Sequence, residues 1–454
     1  MHIFDVAIVG GGPGGLMTAY ALQRLADRPI RVTIFEASDR LGGKVVTRQF
    51  ASAPVRYEAG AAEFYDYSKT DEDPLRELIR ELGLPVRPMG GPAVVMDDRI
   101  LSNLDDIRDR LGSAAHDAVV DFDRFAKDRI TPQAFYAADD PEGVHTNGVG
   151  ETFAAVLDRM PDAKARSYIE TLIHSDLAAE PEHTSPRYGL QNYVMNDGRY
   201  MSLYGIEGGN ERLIHALATR LDATIHLETP VRSIQRRSDG RMTVRHGRDG
   251  AEAEADYDYV VVALPHNHLA SVGYPDDDLA AAMKAHHDYY DHPAHYLRIS
   301  MLFERPFWRG AFTDSYWMLD QLGGCCLYDE SSRIPGCTHG VLGWLLGGAT
   351  ALAMAEKSDA ELVEAALDSL PAFLADGRHL LMEAAVQRWP YSVRAIPGGL
   401  APRPLDQRHR PEPLRHPQLF VVGDYLFDTT LNGVLDSAEY VASWLAALTI
   451  ETPA

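Results

Sequence analysis

The chain opens on a short apolar run, Val6-Ala7-Ile8-Val9, with the length and composition of a strand buried on both faces. It stops at Gly10-Gly11-Gly12-Pro13-Gly14-Gly15. Apolar positions then recur at helical spacing (Leu16, Ala19, Tyr20, Leu22), which predicts a helix over 16–25. Arg31-Val32-Thr33-Ile34-Phe35 predicts a second strand that delivers Glu36 at its end. From about Asp97 to Gly198 the pattern becomes polar and helix-prone, with periodic stretches at 117–125 and 152–160 and a loop over 137–150. Between 203 and 265 it turns to alternating elements again. A helix begins near Asn210, strands are expected at 223–225, 231–235 and 242–245, and Tyr259-Val260-Val261-Val262-Ala263-Leu264 is strongly apolar. Over 271–385 the pattern predicts strands at 296–303, 315–319 and 341–345 and a helix over 359–370 that Ser358 would cap. Leu419-Phe420-Val421-Val422-Gly423-Asp424 reads as a last buried strand, followed by a terminal helix over 435–448.

Nucleotide-type segments therefore stand at the start, the centre and the end, with other material between them. This predicts an α/β and α+β fold of two interleaved domains. One is Rossmann-like, assembled from 1–96, 199–270 and 386–454. The other, from 97–198 and 271–385, combines a helical part with a mixed sheet. No internal repeat interrupts this reading, and the Pro- and Arg-rich stretch 397–417 reads as an extended surface loop.

Composition narrows the function classes. Of 454 residues, 45% are apolar and 24% charged, as in ordinary globular proteins. Lys and Arg number 43 against 66 Asp and Glu, a net charge of −23, so binding to nucleic acid or anionic membrane by bulk charge is disfavoured. Three cysteines, Cys325, Cys326 and Cys337, do not make a disulfide framework and point to a reducing compartment. The chain begins directly on its first strand, with no secretory pattern, and no stretch approaches the length of a membrane span. A cytoplasmic location is expected.

The Gly10-x-Gly12-x-x-Gly15 pattern carries weight through its context. Gly10 permits the tight turn, Gly12 lets backbone approach a pyrophosphate, and Gly15 lets helix pack close to strand. Pro13 and Gly14 open a helix whose free N–H groups suit a phosphate. Glu36, at the end of the second strand, is placed to accept ribose hydroxyls.

The residues after Glu36 separate flavin from nicotinamide. Ala37-Ser38-Asp39-Arg40-Leu41-Gly42-Gly43-Lys44 resembles the signature of the flavin amine oxidase superfamily, which includes monoamine, polyamine and L-amino-acid oxidases and related desaturases and protoporphyrinogen oxidases. That signature is an acidic residue followed by Arg-x-Gly-Gly-Arg, and here Lys44 replaces the second arginine, keeping the charge but losing the bidentate fork. The resemblance continues at Glu58-Ala59-Gly60-Ala61-Ala62, at Tyr204-Gly205-Ile206-Glu207-Gly208-Gly209-Asn210, at Val261-Val262-Ala263-Leu264-Pro265, and at Phe420-Val421-Val422-Gly423-Asp424 with Asn432-Gly433-Val434-Leu435-Asp436-Ser437-Ala438. It implies non-covalent FAD held by the glycine turn, Glu36, Ala37, Arg40, Gly43, Lys44, the segment Gly60-Ala61-Ala62-Glu63, Val231 beside the adenine, Ala263, Trp389, Gly423, Asp424, Gly433 and Val434.

The sequence departs from the family at its active site. Many amine oxidases carry a lysine on a strand ending in Pro-Phe-Trp; Arg298 occupies that place, before Pro306-Phe307-Trp308. As a permanent cation with a planar donor face, Arg298 could stabilise charge on the flavin or hold a substrate carboxylate, or serve as a salt-bridged strand residue. Trp389-Pro390-Tyr391 resembles the segment of one tyrosine of the monoamine oxidase aromatic cage, which makes Tyr391 a substrate-facing candidate. The second tyrosine falls at Val434, and Pro390 removes the cysteine that some members link to FAD. Glu63 stands where L-amino-acid oxidases have an arginine, so it favours a cationic substrate, could accept a proton, or could pair with Arg298. His266 and His268 are spaced to chelate, but no matching Cys or carboxylate accompanies them, and no metal is expected. Asp105-Asp106 and Asp276-Asp277-Asp278 read as solvated or helix-capping charge.

The resemblance implies an FAD-dependent oxidoreductase that oxidises a C–N bond of a small amine or amino-acid-like substrate by hydride transfer to flavin N5, with dioxygen as acceptor and hydrogen peroxide as product. Arg298, Tyr391 and Glu63 are the candidate catalytic residues. The alternative is a desaturase or dehydrogenase that forms C=C bonds. A third alternative is an FAD-bound protein without turnover. Substrate identity and oligomeric state, with a homodimer among the options, are not legible in the sequence.

Overall fold

The computed structural model describes residues 3–448 except 70–71, 92, 137–150, 249, 399, 401–402 and 428; the expected loop over 137–150 therefore lies outside the described residues. Its first layer is a five-stranded parallel sheet. The strands run in the order Ala223–His226, Ile30–Phe35, Phe4–Val9, Tyr259–Val262, Leu419–Val421. The opening strand sits at the centre, paired in register from Val6 with Tyr259 to Val9 with Val262 on one side and from Phe4 with Ile30 to Val9 with Phe35 on the other. Such a strand has no solvent face, which is why Val6 to Val9 is an unbroken apolar run. The glycine turn leads into the helix Pro13–Leu25, which packs along the terminal helix Leu431–Leu448.

The second layer is a seven-stranded mixed sheet in the order Leu381–Arg394, Pro293–Phe303, Gly340–Gly347, Cys325–Asp329, Tyr316–Leu319, Ala93–Met96, Arg99–Leu101. Alternation along its strands separates two cores. Trp317, Leu327, Trp344 and Leu346 face the helix Asp359–Asp368. Met318, Cys326, Tyr328 and Leu345 face the helices Ser113–Arg129, Ala163–Leu177 and Pro186–Val194. Cys325 and Cys326, adjacent in sequence, are consequently buried on opposite faces as free thiols.

The expected strands and helices are present, including the helix Asp359–Asp368 with a full capping box from Ser358 and Glu361, but the stretch expected as an extended surface loop over 397–417 holds the helix Leu405–His409, with Arg408 and His409 buried. Three elements cut across the expected segments. The strand Ala93–Met96 joins the seven-stranded sheet, and the strand Leu381–Arg394 runs through the position at 385. The helix Asp277–Tyr290 packs Leu279, Met283 and Tyr290 against Val9, Val262 and Tyr425, on the parallel layer. Its Asp276-Asp277-Asp278 run is the N-cap and first turn, where negative charge meets the helix dipole. No helix among the described residues is long and apolar enough to cross a membrane.

Candidate functional site

A cavity opens where the carboxyl ends of the central parallel strands meet the edge of the seven-stranded sheet. Its outer part is bare backbone. A Cβ on Gly12 would meet only Gly43 Cα, at 4.0 Å, and one on Gly43 would stand 3.5 Å from Gly12 Cα, so two main chains face each other with room for a ligand to lie against both. The helix that starts at Pro13 has neither a capping side chain nor an acid in its first turn, which leaves its N-terminal N–H groups and dipole to the cavity. Gly15 is required for a different reason: a Cβ there would lie 2.1 Å from Gly10 O. This donor set fits the pyrophosphate of a dinucleotide. The N-terminal turn of the helix Leu431–Leu448 reaches the same cavity through Leu431 and Val434, and Gly433 N–H donates to Thr430 Oγ1 beside it.

Of the cofactor residues expected from sequence, Gly12, Pro13, Gly14, Gly43, Lys44, Gly60, Ala61, Ala62, Glu63, Ala263, Trp389, Gly423, Asp424 and Val434 line this cavity. Gly10, Gly15, Glu36, Ala37, Arg40, Val231 and Gly433 are not on its wall. Glu36 sits at the strand end and already accepts Gly11 N–H at 2.8 Å and both Ser38 N–H and Ser38 Oγ–H. Arg40 bends back onto the carbonyls of Leu41 and Gly43 and shapes the Gly42-Gly43 turn. Lys44 bridges Asp424 Oδ2, at 2.8 Å, and Ser392 O, at 2.7 Å, and so joins the last parallel strand to the seven-stranded sheet across the cavity.

The inner wall is built on Glu58 to Glu63, and its rigidity comes from outside. The carbonyl of Glu58 accepts Arg298 Nε–H at 2.9 Å, that of Ala59 accepts Trp389 Nε1–H at 2.8 Å, that of Ala61 accepts Asn210 Nδ2–H at 3.0 Å, and that of Ala62 accepts an Arg333 N–H at 2.5 Å. Four side chains from distant parts of the chain therefore fix one short segment. Behind it Glu330 binds Arg298 and Glu58 N–H, with Arg333 nearby, and all three side chains are buried. Gly343 leaves the space for this pair, since a Cβ there would fall 2.3 Å from Glu330 Oε1. Burial pushes the Glu58 carboxyl up to about 7, against the pull of Arg333. Arg298 is thus both a cavity wall and a salt-bridged strand residue.

Glu63 faces the cavity, and its Oε2 is buried without a hydrogen-bond partner among the described residues. Burial raises its pKa, with Arg298 and Tyr328 acting in the opposite direction. Tyr391 corrects the sequence expectation. Pro390 has no N–H for the ladder, so the strand bulges between the pairs Tyr296 with Trp389 and Ala294 with Val393. Tyr391 lies on that bulge with φ of 57°, is 47% exposed, and donates its N–H to His295 Nδ1. The aromatic residues on the cavity are Phe64, Tyr65, Tyr296 and Trp389. Of these, Phe64, Tyr65 and Tyr296 did not stand out in the sequence; Tyr296 could have been found as the cross-strand partner of Trp389 had the strand over 381–394 been recognised. His266 is fully buried behind the cavity, its pKa lowered to about 4 by burial.

Comparison with known proteins agrees with this arrangement. A model of the family described as flavin containing amine oxidoreductase matches residues 13–445. A polyamine oxidase of Oryza sativa subsp. japonica is 27% identical over 272 residues, covering 57% of this chain and 51% of that protein. The chain spans about half the length of the first curated relatives it matches. Two solved structures share the fold over 98% of this chain and 99% of theirs: a putrescine oxidase bound to putrescine, at 20% identity and TM-score 0.72, and the cyclohexylamine oxidase of Brevibacterium oxydans IH-35A, at 19% and 0.75.

Proposed function

The chain belongs to the flavin-containing amine oxidoreductase family, and on that premise we propose that it oxidises the C–N bond of a small amine that is cationic in solution, with dioxygen as acceptor and hydrogen peroxide as product. The observation that carries this reading is Glu63, a carboxyl side chain on a cavity that also carries Phe64, Tyr65, Tyr296 and Trp389, with one oxygen left without a hydrogen-bond partner among the described residues. FAD, when bound, supplies the hydride acceptor and the route to dioxygen. Gly12, Gly14, Gly43 and the uncapped helix at Pro13 would hold its pyrophosphate, and the paired Lys44 and Asp424 would contact it from the cavity wall.

The remaining steps belong to the chain's own residues. Glu63 draws the ammonium inward, because an anion in an enclosed site attracts a cation more strongly than water does. Tyr65, Tyr296 and Trp389 exclude water and orient the substrate C–H bond. The amine must be neutral when its C–H bond breaks, so its proton goes to Glu63 or to water. Arg298, fixed by Glu58 O and Glu330, places a permanent positive charge on the cavity wall, where it would favour negative charge on a bound cofactor when that is reduced. Its Nε and Nη2 donors are already bonded to Glu58 O and Glu330.

The test is anaerobic flavin reduction by a panel of alkylamines, diamines and L-amino acids, followed in the wild type, Glu63→Gln and Arg298→Lys, with peroxide release measured in air. Reduction by amines should slow by about 100-fold or more in Glu63→Gln, the scale of removing one positioned acid–base group. Unchanged rates in both variants, or reduction by polyenes alone, would overturn the reading.

A further inference from the structure

Glu58 carries a buried carboxyl group that has no part in the chemistry proposed so far. It is 4% exposed and does not line the cavity, but its own segment does from Gly60 onward. Its carbonyl oxygen accepts Arg298 Nε–H, and its N–H donates to Glu330 Oε2 at 2.7 Å. Its carboxylate accepts Asn210 N–H at 2.9 Å through Oε1 and the Thr47 hydroxyl at 2.8 Å through Oε2. Asn210 is fully buried, whereas Thr47 is half-buried, and its Oγ1 also accepts Glu211 N–H at 3.1 Å. A hydroxyl can donate to a carboxylate or accept from a carboxylic acid, so Thr47 serves both protonation states of Glu58.

We propose, resting on FAD as the cofactor and not on an amine as the substrate, that Glu58 is a redox-linked proton site. It takes up one proton from solvent when the bound FAD is reduced and gives it back when FAD is reoxidised. Around it the guanidiniums of Arg298 and Arg333 meet the carboxylates of Glu330 and Glu58, so this buried group is neutral with both acids ionised and carries one positive charge with Glu58 protonated. Arg298 is also part of the cavity wall. A hydride brings two electrons and one proton, which leaves the cavity more negative by one charge. In a poorly solvated interior a proton on a neighbouring group offsets that charge. The two arginines are already protonated, Glu330 is bonded by Arg298 and paired with Arg333, and burial keeps Tyr328, beneath Arg298, protonated. Glu58 is the group left to take the proton, since burial pushes its pKa up to about 7 while Arg333 pulls the other way. The other acids nearby are Glu211, which accepts Thr47 N–H, and Glu63 on the cavity, which competes for the same proton. Glu58 touches neither cofactor nor substrate in this role and acts through Arg298, as a positioning residue for charge.

The holoenzyme is titrated with dithionite under nitrogen beside reference dyes, from about pH 5.5 to about pH 9, as wild type, Glu58→Gln, Glu63→Gln and Thr47→Val. Glutamine copies the protonated form, so the flavin potentials of wild type and Glu58→Gln should coincide at the acid end. Above about pH 7 the wild-type potential should fall more steeply, by one extra proton per two electrons, while Glu58→Gln keeps the shallower slope. Glu63→Gln should retain the break. Thr47→Val removes a donor to the carboxylate and should move the break to higher pH, which also decides the matter where Glu58→Gln does not hold FAD. Infrared difference spectra of reduced against oxidised protein at about pH 8 should show a carboxylic C=O band in wild type that is missing in Glu58→Gln. Parallel slopes in wild type and Glu58→Gln, a break lost in Glu63→Gln instead, or a break that Thr47→Val leaves in place overturns the assignment. If no amine reduces the flavin, the amine oxidase reading fails on its own, while the dithionite potentials still decide Glu58.

Discussion

Arg298 was legible in the sequence as the replacement for the family's lysine, but its partner was not. Glu330 lies 32 residues away and reaches Arg298 only because the strands Pro293–Phe303, Gly340–Gly347 and Cys325–Asp329 are neighbours, with Gly343 leaving a gap between them. Two charges held at 2% side-chain exposure cost a great deal to desolvate and regain it only together. Arg298→Met leaves buried Glu330 with only the longer ion pair to Arg333, and the variant should lose about 3 kcal/mol of stability. The double variant Arg298→Met, Glu330→Gln should recover much of that loss in urea unfolding. A single variant within 1 kcal/mol or so of wild type would show that the pair is not the support of the Glu58 to Glu63 segment.

At the scale of elements, the glycine turn and its strands could be read because each residue answers a local demand: Gly15 a close approach, Val6 to Val9 burial on both faces. The strand Leu381–Arg394 could not, because Glu383, Gln387 and Arg388 interrupt its apolar pattern and Pro390 breaks its ladder. The bulge at Pro390 decides which aromatic meets the substrate. It leaves Trp389 opposite Tyr296 on the cavity and turns Tyr391 outward against His295, at 4.9 Å between ring centroids. Trp389→Ala should therefore lower kcat/KM at least about tenfold, since a half-buried aromatic wall and the Nε1 bond to Ala59 O are both lost. Tyr391→Ala should leave it within about twofold, a surface change of the usual small size. The reverse order in steady-state kinetics would return Tyr391 to the substrate.

For the whole molecule, the sequence placed nucleotide-type segments at both ends and the centre, and that spacing already implied interleaving. It could not show how far the two layers depend on each other, because the dependence lies in contacts across the cavity. Gly12, Ala263 and Asp424 stand on the parallel sheet, Arg298 and Trp389 on the seven-stranded one, and all five share one wall. Lys44 bonds Asp424 on one side and Ser392 O on the other. A ligand that fills this cavity binds both layers at once and binds neither when they separate, so it should stabilise them as one cooperative unit. With FAD at about a hundred times its Kd, mass action adds about 2.7 kcal/mol. Calorimetry of the apoprotein titrated with FAD should show a single transition that moves upward with concentration. Lys44→Ala should weaken that shift, because the bridge over the cavity is gone. Two transitions, of which only the lower responds to FAD, would mean that the cofactor is held by the parallel layer alone and that the Lys44 bridge does not couple the sheets.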